Sequence, residues 1–183
     1  IPGLSCRLSN DNYDVMRGEE LQALGWLQHD KQRFTGTHLL CLPGTHTKWV
    51  LIKEGKIELF KTAMTGELFD LLTNHSILIK KGDETFDQPS FKKGADFTLK
   101  SELGSFTHGL FSVRSKQLFG ELTNSQASSY LSGLLIGSDV RAALNAEEWQ
   151  LSELGEVSII GAKHLSQQFS QVLETHGIKT NVC

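Results

Sequence analysis

Two hydrophobic rhythms run along this chain. His38-Leu39-Leu40-Cys41-Leu42 and Trp49-Val50-Leu51-Ile52 are short continuous apolar runs. Lys56 to Thr62 alternates, with Ile57, Leu59 and Lys61 on one face and Lys56, Glu58 and Phe60 on the other. Bounded by Pro43-Gly44 and Glu54-Gly55, these runs predict three strands in an antiparallel meander. Elsewhere the spacing is helical. After a short opening strand and a polar loop over Leu8 to Asp14, Leu21, Leu24 and Leu27 predict a helix from Met16 to about Leu27, with Asp14 or a neighbour as its cap. Leu68, Leu71, Leu72 and His75 predict a second, opening at Met64-Thr65-Gly66-Glu67 with Thr65 as cap. A polar, Gly-bearing linker follows over Ile77 to about Glu84.

Phe91, Ala95 and Thr98 mark the next helix, Gly104 to Leu118 another, and Asn124 to Leu144 the longest. Its Gly133 and Gly137 are four residues apart, which suits close contact with a neighbouring helix. Glu147 to Glu153 reads as an acidic, solvated link. Val157 to Ile160 is a buried strand running into Gly161, and Leu165, Phe169, Val172, Leu173 and His176 stripe the helix after it. A last strand begins near Ile178.

Composition narrows the class. The 183 residues are 39% hydrophobic and 21% charged, enough for one globular domain or a lopsided pair of lobes. A net charge of -3 without a basic stripe argues against nucleic acid as a partner. No apolar run approaches the roughly 20 residues of a spanning helix, and the N-terminus lacks a signal-peptide layout, so the expected location is the cytoplasm, away from membranes. Cys6, Cys41 and Cys183 are odd in number and scattered, as expected of reduced thiols. Both ends are apolar: Ile1 opens the chain and a strand is starting at its close. The expectation is a piece of a longer protein.

Candidate chemistry concentrates at turns. In Leu42-Pro43-Gly44-Thr45-His46-Thr47-Lys48, Gly44 permits close backbone approach, Thr45 and Thr47 add hydroxyls and Lys48 a positive charge, which suits phosphate. A plain hairpin tip would look much the same. The spaced glycines of a P-loop are absent. Glu19 and Glu20 fall at a helix N-terminus, where they either stabilise the dipole or act chemically. Thr65-Gly66-Glu67 opens a helix whose free N–H groups can hold an anion. His75 is a ligand candidate or a helix-terminal histidine, and the strand–Gly161–helix unit can receive a nucleotide. No metal-ligand spacing and no nucleophile elbow is present.

Taken together, Asp14-Val15-Met16-Arg17-Gly18-Glu19-Glu20, the Leu42 to Val50 stretch, Met64-Thr65-Gly66-Glu67-Leu68, Asn74-His75-Ser76-Ile77-Leu78, Leu110-Phe111-Ser112-Val113-Arg114 and Leu131-Ser132-Gly133-Leu134-Leu135-Ile136-Gly137 resemble the 2-keto-3-deoxygalactonate kinases. The resemblance implies an α/β fold: a ribonuclease-H-like, actin-like ATPase lobe with a mixed sheet flanked by helices. Residues 1–14 would end a first lobe, and 15–183 would form most of the second. It implies ATP-dependent phosphorylation of the sugar acid at its C6 hydroxyl, with Mg2+. The first phosphate loop and the magnesium anchor would lie in a preceding lobe, so the piece by itself is expected to be inactive.

By the same resemblance Glu19 is the general base, with Glu20 as its competitor. Arg17 binds the substrate carboxylate, and Gly18, His75 and Arg114 sit on the substrate side. Gly44, Thr45, His46 and Thr47 form the second phosphate loop, and Lys48 reaches phosphate or an acidic neighbour. Thr65, Gly66, Glu67 and Gly161 complete the ATP side. Two alternatives stay open: a non-enzymatic remnant that binds nucleotide or sugar acid, and a kinase of a related 2-keto-3-deoxy sugar acid.

Overall fold

The computed structural model describes residues 2–9, 11–79, 85–100, 106–149 and 154–183. The chain divides into two compact units, one made of Ile1–Met64 with Ala143–Cys183 and the other of Thr65–Ala142.

A five-stranded sheet organises the first unit. β3 (Thr37–Leu42), β4 (Thr47–Lys53) and β5 (Lys56–Ala63) form the expected antiparallel meander, and β6 (Glu156–Ile159) and β7 (Lys179–Val182) add on parallel to β3, giving the order β5-β4-β3-β6-β7. This mixed sheet is the ribonuclease-H-like arrangement. The apolar runs at β3 and β4 are continuous because both faces of the sheet centre are covered. On one face Leu40, Leu42, Val50, Ile52 and Phe60 pack with Ala23, Trp26 and Leu27 of α1 (Glu20–His29). The residues alternating with them, Trp49 among them, face α6 (Lys163–Thr175), where Trp49 meets Phe169 with ring centroids 6.3 Å apart. Burying a Phe of this kind contributes about 1.5–3 kcal/mol.

The alternation expected along β5 breaks. Leu59 pairs with Leu51 but Ile57 pairs with Ile52, so Glu58 is an extra residue, and Ile57 and Phe60 join the same core cluster. The turn before it is as expected. Glu54 and Gly55 both have positive φ (47° and 71°), the backbone a two-residue hairpin demands.

The chain's start differs from expectation. β1 (Leu4–Arg7) pairs antiparallel with β2 (Tyr13–Met16), so the end of the expected polar loop is a strand and Met16 is core rather than helix. The helix starts only at Glu20. Its buried stripe is Ala23, Trp26 and Leu27, with Leu21 and Leu24 exposed. Asp14 caps no helix: its carboxylate accepts the Thr62 amide at 2.7 Å and the Thr62 hydroxyl at 2.6 Å, which holds β2 along β5.

The second unit contains α2 (Thr65–Asn74), α3 (Gln88–Lys100), α4 (Phe106–Leu118) and most of α5 (Asn124–Leu144). Gly133 and Gly137 lie against α3 as expected: a Cβ on Gly133 would collide with the Phe91 carbonyl and lie 2.9 Å from the Ala95 nitrogen. In α2 the packed residues are Leu68, Phe69 and Leu72, while Leu71 and His75 are exposed. The supposed polar linker contributes Leu78 and Ile79 to the core; its residues 80–84 lie outside the described residues, as do 101–105. The link at Glu147 to Glu153 is not simply solvated either. Trp149 is buried with its indole N–H on the Ala143 carbonyl, and Glu148 is 8% exposed, 2.9 Å from Lys61. Residues 150–153 lie outside the described residues.

Candidate functional site

Strand direction places two turns of the first unit at one end of its sheet, and hydrogen bonds from Lys48 and Thr62 to Val15 and Asp14 bring the strand before a third turn alongside. β3 and the parallel β6 both run towards that end, where β4 begins and β5 finishes, Thr47 pairing with Ala63. The Pro43–His46 turn leaves there, and so does Ile160-Gly161. The Ile160 amide donates to the Cys41 carbonyl at 3.0 Å. A Cβ on Gly161 would stand 3.0 Å from the Pro43 carbonyl oxygen. Gly161 therefore lets two turns seat together, whatever it contributes to a nucleotide. Ligands of open α/β sheets favour this end, outside the carboxyl ends of parallel strands. Among the described residues no side chain caps the start of α6 at Ala162, and the first N–H groups of a helix left so can bind an anion.

Gly44 does not adopt the positive φ that would make glycine obligatory for the turn, and a Cβ there would meet only the His46 carbonyl, at 3.8 Å. What glycine supplies is open space above the backbone. Thr45 and His46 are exposed beside it. Thr47 is different: it is fully buried at the start of β4, and its hydroxyl finds no hydrogen-bond partner among the described residues. Lys48 is buried as well. Its ammonium donates to the Val15 carbonyl at 2.9 Å and the Thr62 hydroxyl at 2.8 Å. Of the residues expected to face phosphate, Gly44, Thr45 and His46 are open at the turn, whereas Thr47 and Lys48 are buried. In a β-strand, residues turned inward are committed to packing, and Thr47 and Lys48 are already strand.

The third turn carries Arg17 to Glu20, two residues beyond Val15. Gly18 has φ 115°, a conformation side-chain-bearing residues rarely adopt. Two carboxylates fold back on this turn: Glu19 Oε2 accepts the Arg17 amide at 3.1 Å, and Glu20 Oε2 accepts the Gly18 amide at 2.6 Å. The pair is not equivalent. Glu20 is 4% exposed and its Oε1 is buried without a partner among the described residues, whereas Glu19 is half-exposed and Arg17 exposed. Glu20 is placed as a brace, and Glu19 as the carboxylate that a ligand can reach.

Thr65, Gly66, Glu67, His75 and Arg114 belong to the second unit. Thr65 is the first residue of α2 rather than its cap, and its buried hydroxyl donates to Asp139 at 2.6 Å, so a carboxylate rather than an anion-binding role occupies it. Gly66, Glu67 and Arg114 are half-buried. Asp14 and Thr62 carry the network around Lys48 and were not among the expected site residues. Nothing in their spacing marks them, because their meeting depends on the β1–β2 hairpin.

Glu148, Asp87 and Lys116 titrate away from their ordinary values. Burial would raise the Glu148 carboxyl, but hydrogen bonds from Lys61 and Ser9 and the Lys61 charge outweigh it, so its pKa lies below 4.5. The Ser90 hydroxyl and amide hold Asp87 below 3.8. A hydrogen bond from its ammonium to Glu121 raises Lys116 above 10.5. Among the described residues no three His, Cys, Asp or Glu side chains gather as a metal site, and no helix is long and apolar enough to cross a membrane.

Comparison with known proteins identifies relatives of this chain. The family model described as 2-keto-3-deoxy-galactonokinase matches residues 1–183. A Rhizobium meliloti (strain 1021) protein described as a probable 2-dehydro-3-deoxygalactonokinase is 36% identical over 97% of this chain and 56% of its own length. The 2-dehydro-3-deoxygalactonokinase of Escherichia coli (strain K12) is 37% identical over 97% of this chain and 57% of its own. The crystal structure of a Sinorhizobium meliloti protein assigned as a 2-dehydro-3-deoxygalactonokinase superposes with a TM-score of 0.86 at 35% identity, covering 99% of this chain and 58% of that one. The chain spans a little over half the length of the curated relatives it matches. By its whole-length match, its identity to these proteins and its fold, this chain belongs to the 2-keto-3-deoxy-galactonokinase family.

Proposed function

We propose that this chain supplies one side of an active site that transfers the γ-phosphoryl group of ATP to the C6 hydroxyl of 2-keto-3-deoxygalactonate, in cytoplasmic galactonate catabolism. The observation that carries this reading is the convergence at one sheet end of an open, hydroxyl-bearing turn and a turn presenting a reachable carboxylate beside an arginine. Glu19 takes the proton of the C6 hydroxyl, whose oxygen attacks the γ-phosphorus as the bond to the β-phosphate oxygen breaks and ADP leaves. Arg17 pairs with the substrate carboxylate, for which a guanidinium offers two parallel donors. Gly44, Thr45 and His46 line the phosphates, and the uncapped start of α6 beyond Gly161 lies towards the nucleotide.

Mg2+, when bound with ATP, neutralises phosphate charge; the described residues offer no carboxylate cluster of their own for it, so no step here depends on where it sits. Catalysis of this kind is positioning and electrostatics, which one side of a cleft does not complete alone.

The test is to incubate the 183-residue chain, and the longest reading frame that contains it, with ATP, Mg2+ and a panel of 2-keto-3-deoxy sugar acids, and to identify products by mass spectrometry. The 6-phosphate of 2-keto-3-deoxygalactonate is expected from the longer protein. Preference for the gluconate-derived acid would reassign the substrate. ATP binding without transfer in either form would leave a binding protein and contradict the kinase reading.

A further inference from the structure

Lys48 stands where a lysine beside a phosphate turn would be expected to touch phosphate, yet it is 4% exposed and points into the protein. Its ammonium bridges two strands, donating to the Val15 carbonyl of β2 at 2.9 Å and the Thr62 hydroxyl of β5 at 2.8 Å. That hydroxyl donates onward to Asp14 Oδ1 at 2.6 Å, while Asp14 also accepts the amides of Thr62 and Val15, each at 2.7 Å. A buried ammonium is tolerated only when its donors find acceptors and an opposite charge stands near. Here the Val15 carbonyl and the Thr62 hydroxyl are the acceptors, and the Asp14 carboxylate stands just beyond that hydroxyl.

The ends of this network matter more than its middle. Lys48 follows the Pro43–Thr47 segment directly, and Val15 precedes Arg17 by two residues. We propose that Lys48 is a positioning residue: a strut that fixes the Arg17–Glu20 turn against the Pro43–His46 turn. What those turns do rests on the kinase reading above; that they are tied does not. A carboxylate and a phosphate turn must hold their separation closely, since an error of about 1 Å in placement can cost a hundredfold in rate.

Two measurements separate the strut from a phosphate contact. In the active protein, Lys48→Met and Thr62→Val should each lower kcat by about tenfold or more, with KM for ATP held within about threefold, and Thr62→Ser, which keeps the hydroxyl, should stay near the parent. A rise in KM for ATP of about tenfold at unchanged kcat in Lys48→Met, with Thr62→Val silent, would make Lys48 a phosphate ligand and overturn the proposal. In the 183-residue chain, amide hydrogen exchange should quicken together over Val15–Glu20 and Thr45–Thr47 in both variants. Unchanged exchange at either turn in a folded variant would also overturn it. If Lys48→Met does not fold, Thr62→Val carries both measurements. If no form of the protein transfers phosphate, the kinase reading falls while the exchange data still judge the strut.

Discussion

Gly133 and Gly25 are both helical glycines, and replacing each by alanine should move stability in opposite directions. Alanine in a helix interior gains about 1 kcal/mol over glycine from backbone entropy and solvation. At Gly25 of α1 a Cβ would meet nothing within 4 Å, so Gly25→Ala should realise most of that gain. At Gly133 the obstacle is the backbone of α3, with the Ala95 nitrogen and the Phe91 carbonyl carbon each 2.9 Å from the new Cβ and the Phe91 oxygen closer still. Backbone cannot rotate aside as a side chain can, so α3 and α5 must part, at the upper end of the roughly 1–3 kcal/mol that overpacking costs.

The net for Gly133→Ala is a loss of about 1–2 kcal/mol. At roughly 4–8 °C per kcal/mol for units of this size, thermal unfolding should fall by about 4–16 °C, while Gly25→Ala rises by about 4–8 °C. Calorimetry reads both, with the transitions of the two units assigned separately. The same crossing buries Gly94 against the Tyr130 carbonyl and the Leu134 nitrogen. Gly94→Ala combined with Gly133→Ala should therefore cost less than the sum, because one helix displacement relieves both clashes. A neutral or stabilised Gly133→Ala would refute the close crossing.

Other expectations concern titration and capping. Glu148 has a folded pKa below its ordinary value, so its contribution is present above pH 4.5 and is lost as pH falls through the folded value. Glu148→Gln should cost about 0.5–1 kcal/mol at neutral pH and converge with the parent in acid; a constant offset across the titration would contradict the Lys61 pairing. Asp87 accepts the Ser90 amide at 2.9 Å at the start of α3. Asp87→Ala should lower the thermal midpoint of the second unit above pH 3.8, and the difference should vanish well below it. Lys116 acts with the opposite sign: its contribution is complete below pH 10.5 and fades as pH rises through the higher folded value, a fade that Lys116→Met should abolish.

The meander, the Glu54-Gly55 turn, the β6–α6 unit and the long α5 were legible because each is specified by near neighbours in sequence. The continuous apolar runs of β3 and β4 fixed the sheet centre. What sequence spacing missed depends on distant partners. The bulge at Glu58 appears only in register against Ile52, and the β1–β2 hairpin is held along β5 by Asp14 and Thr62, far apart in sequence. Leucine spacing also misled where an element is open on one side: Leu21, Leu24 and Leu71 keep helical period yet lie exposed, while Trp26 and Phe69 take the packed positions. For the site, the positions of the turns were readable, but not which side chains leave them outward. Lys48 and Thr47 belong to strand β4 and point inward, and Glu19 and Glu20, adjacent and chemically alike, differ because one of them is buried.

That difference sets the most direct test of the account. Glu19→Gln should be introduced into the active protein and its turnover measured with 2-keto-3-deoxygalactonate and ATP. Loss of a general base predicts a fall in kcat of about a hundredfold to ten-thousandfold, with KM for ATP within a few-fold of the parent. A near-normal kcat would contradict the assignment of Glu19 as the base.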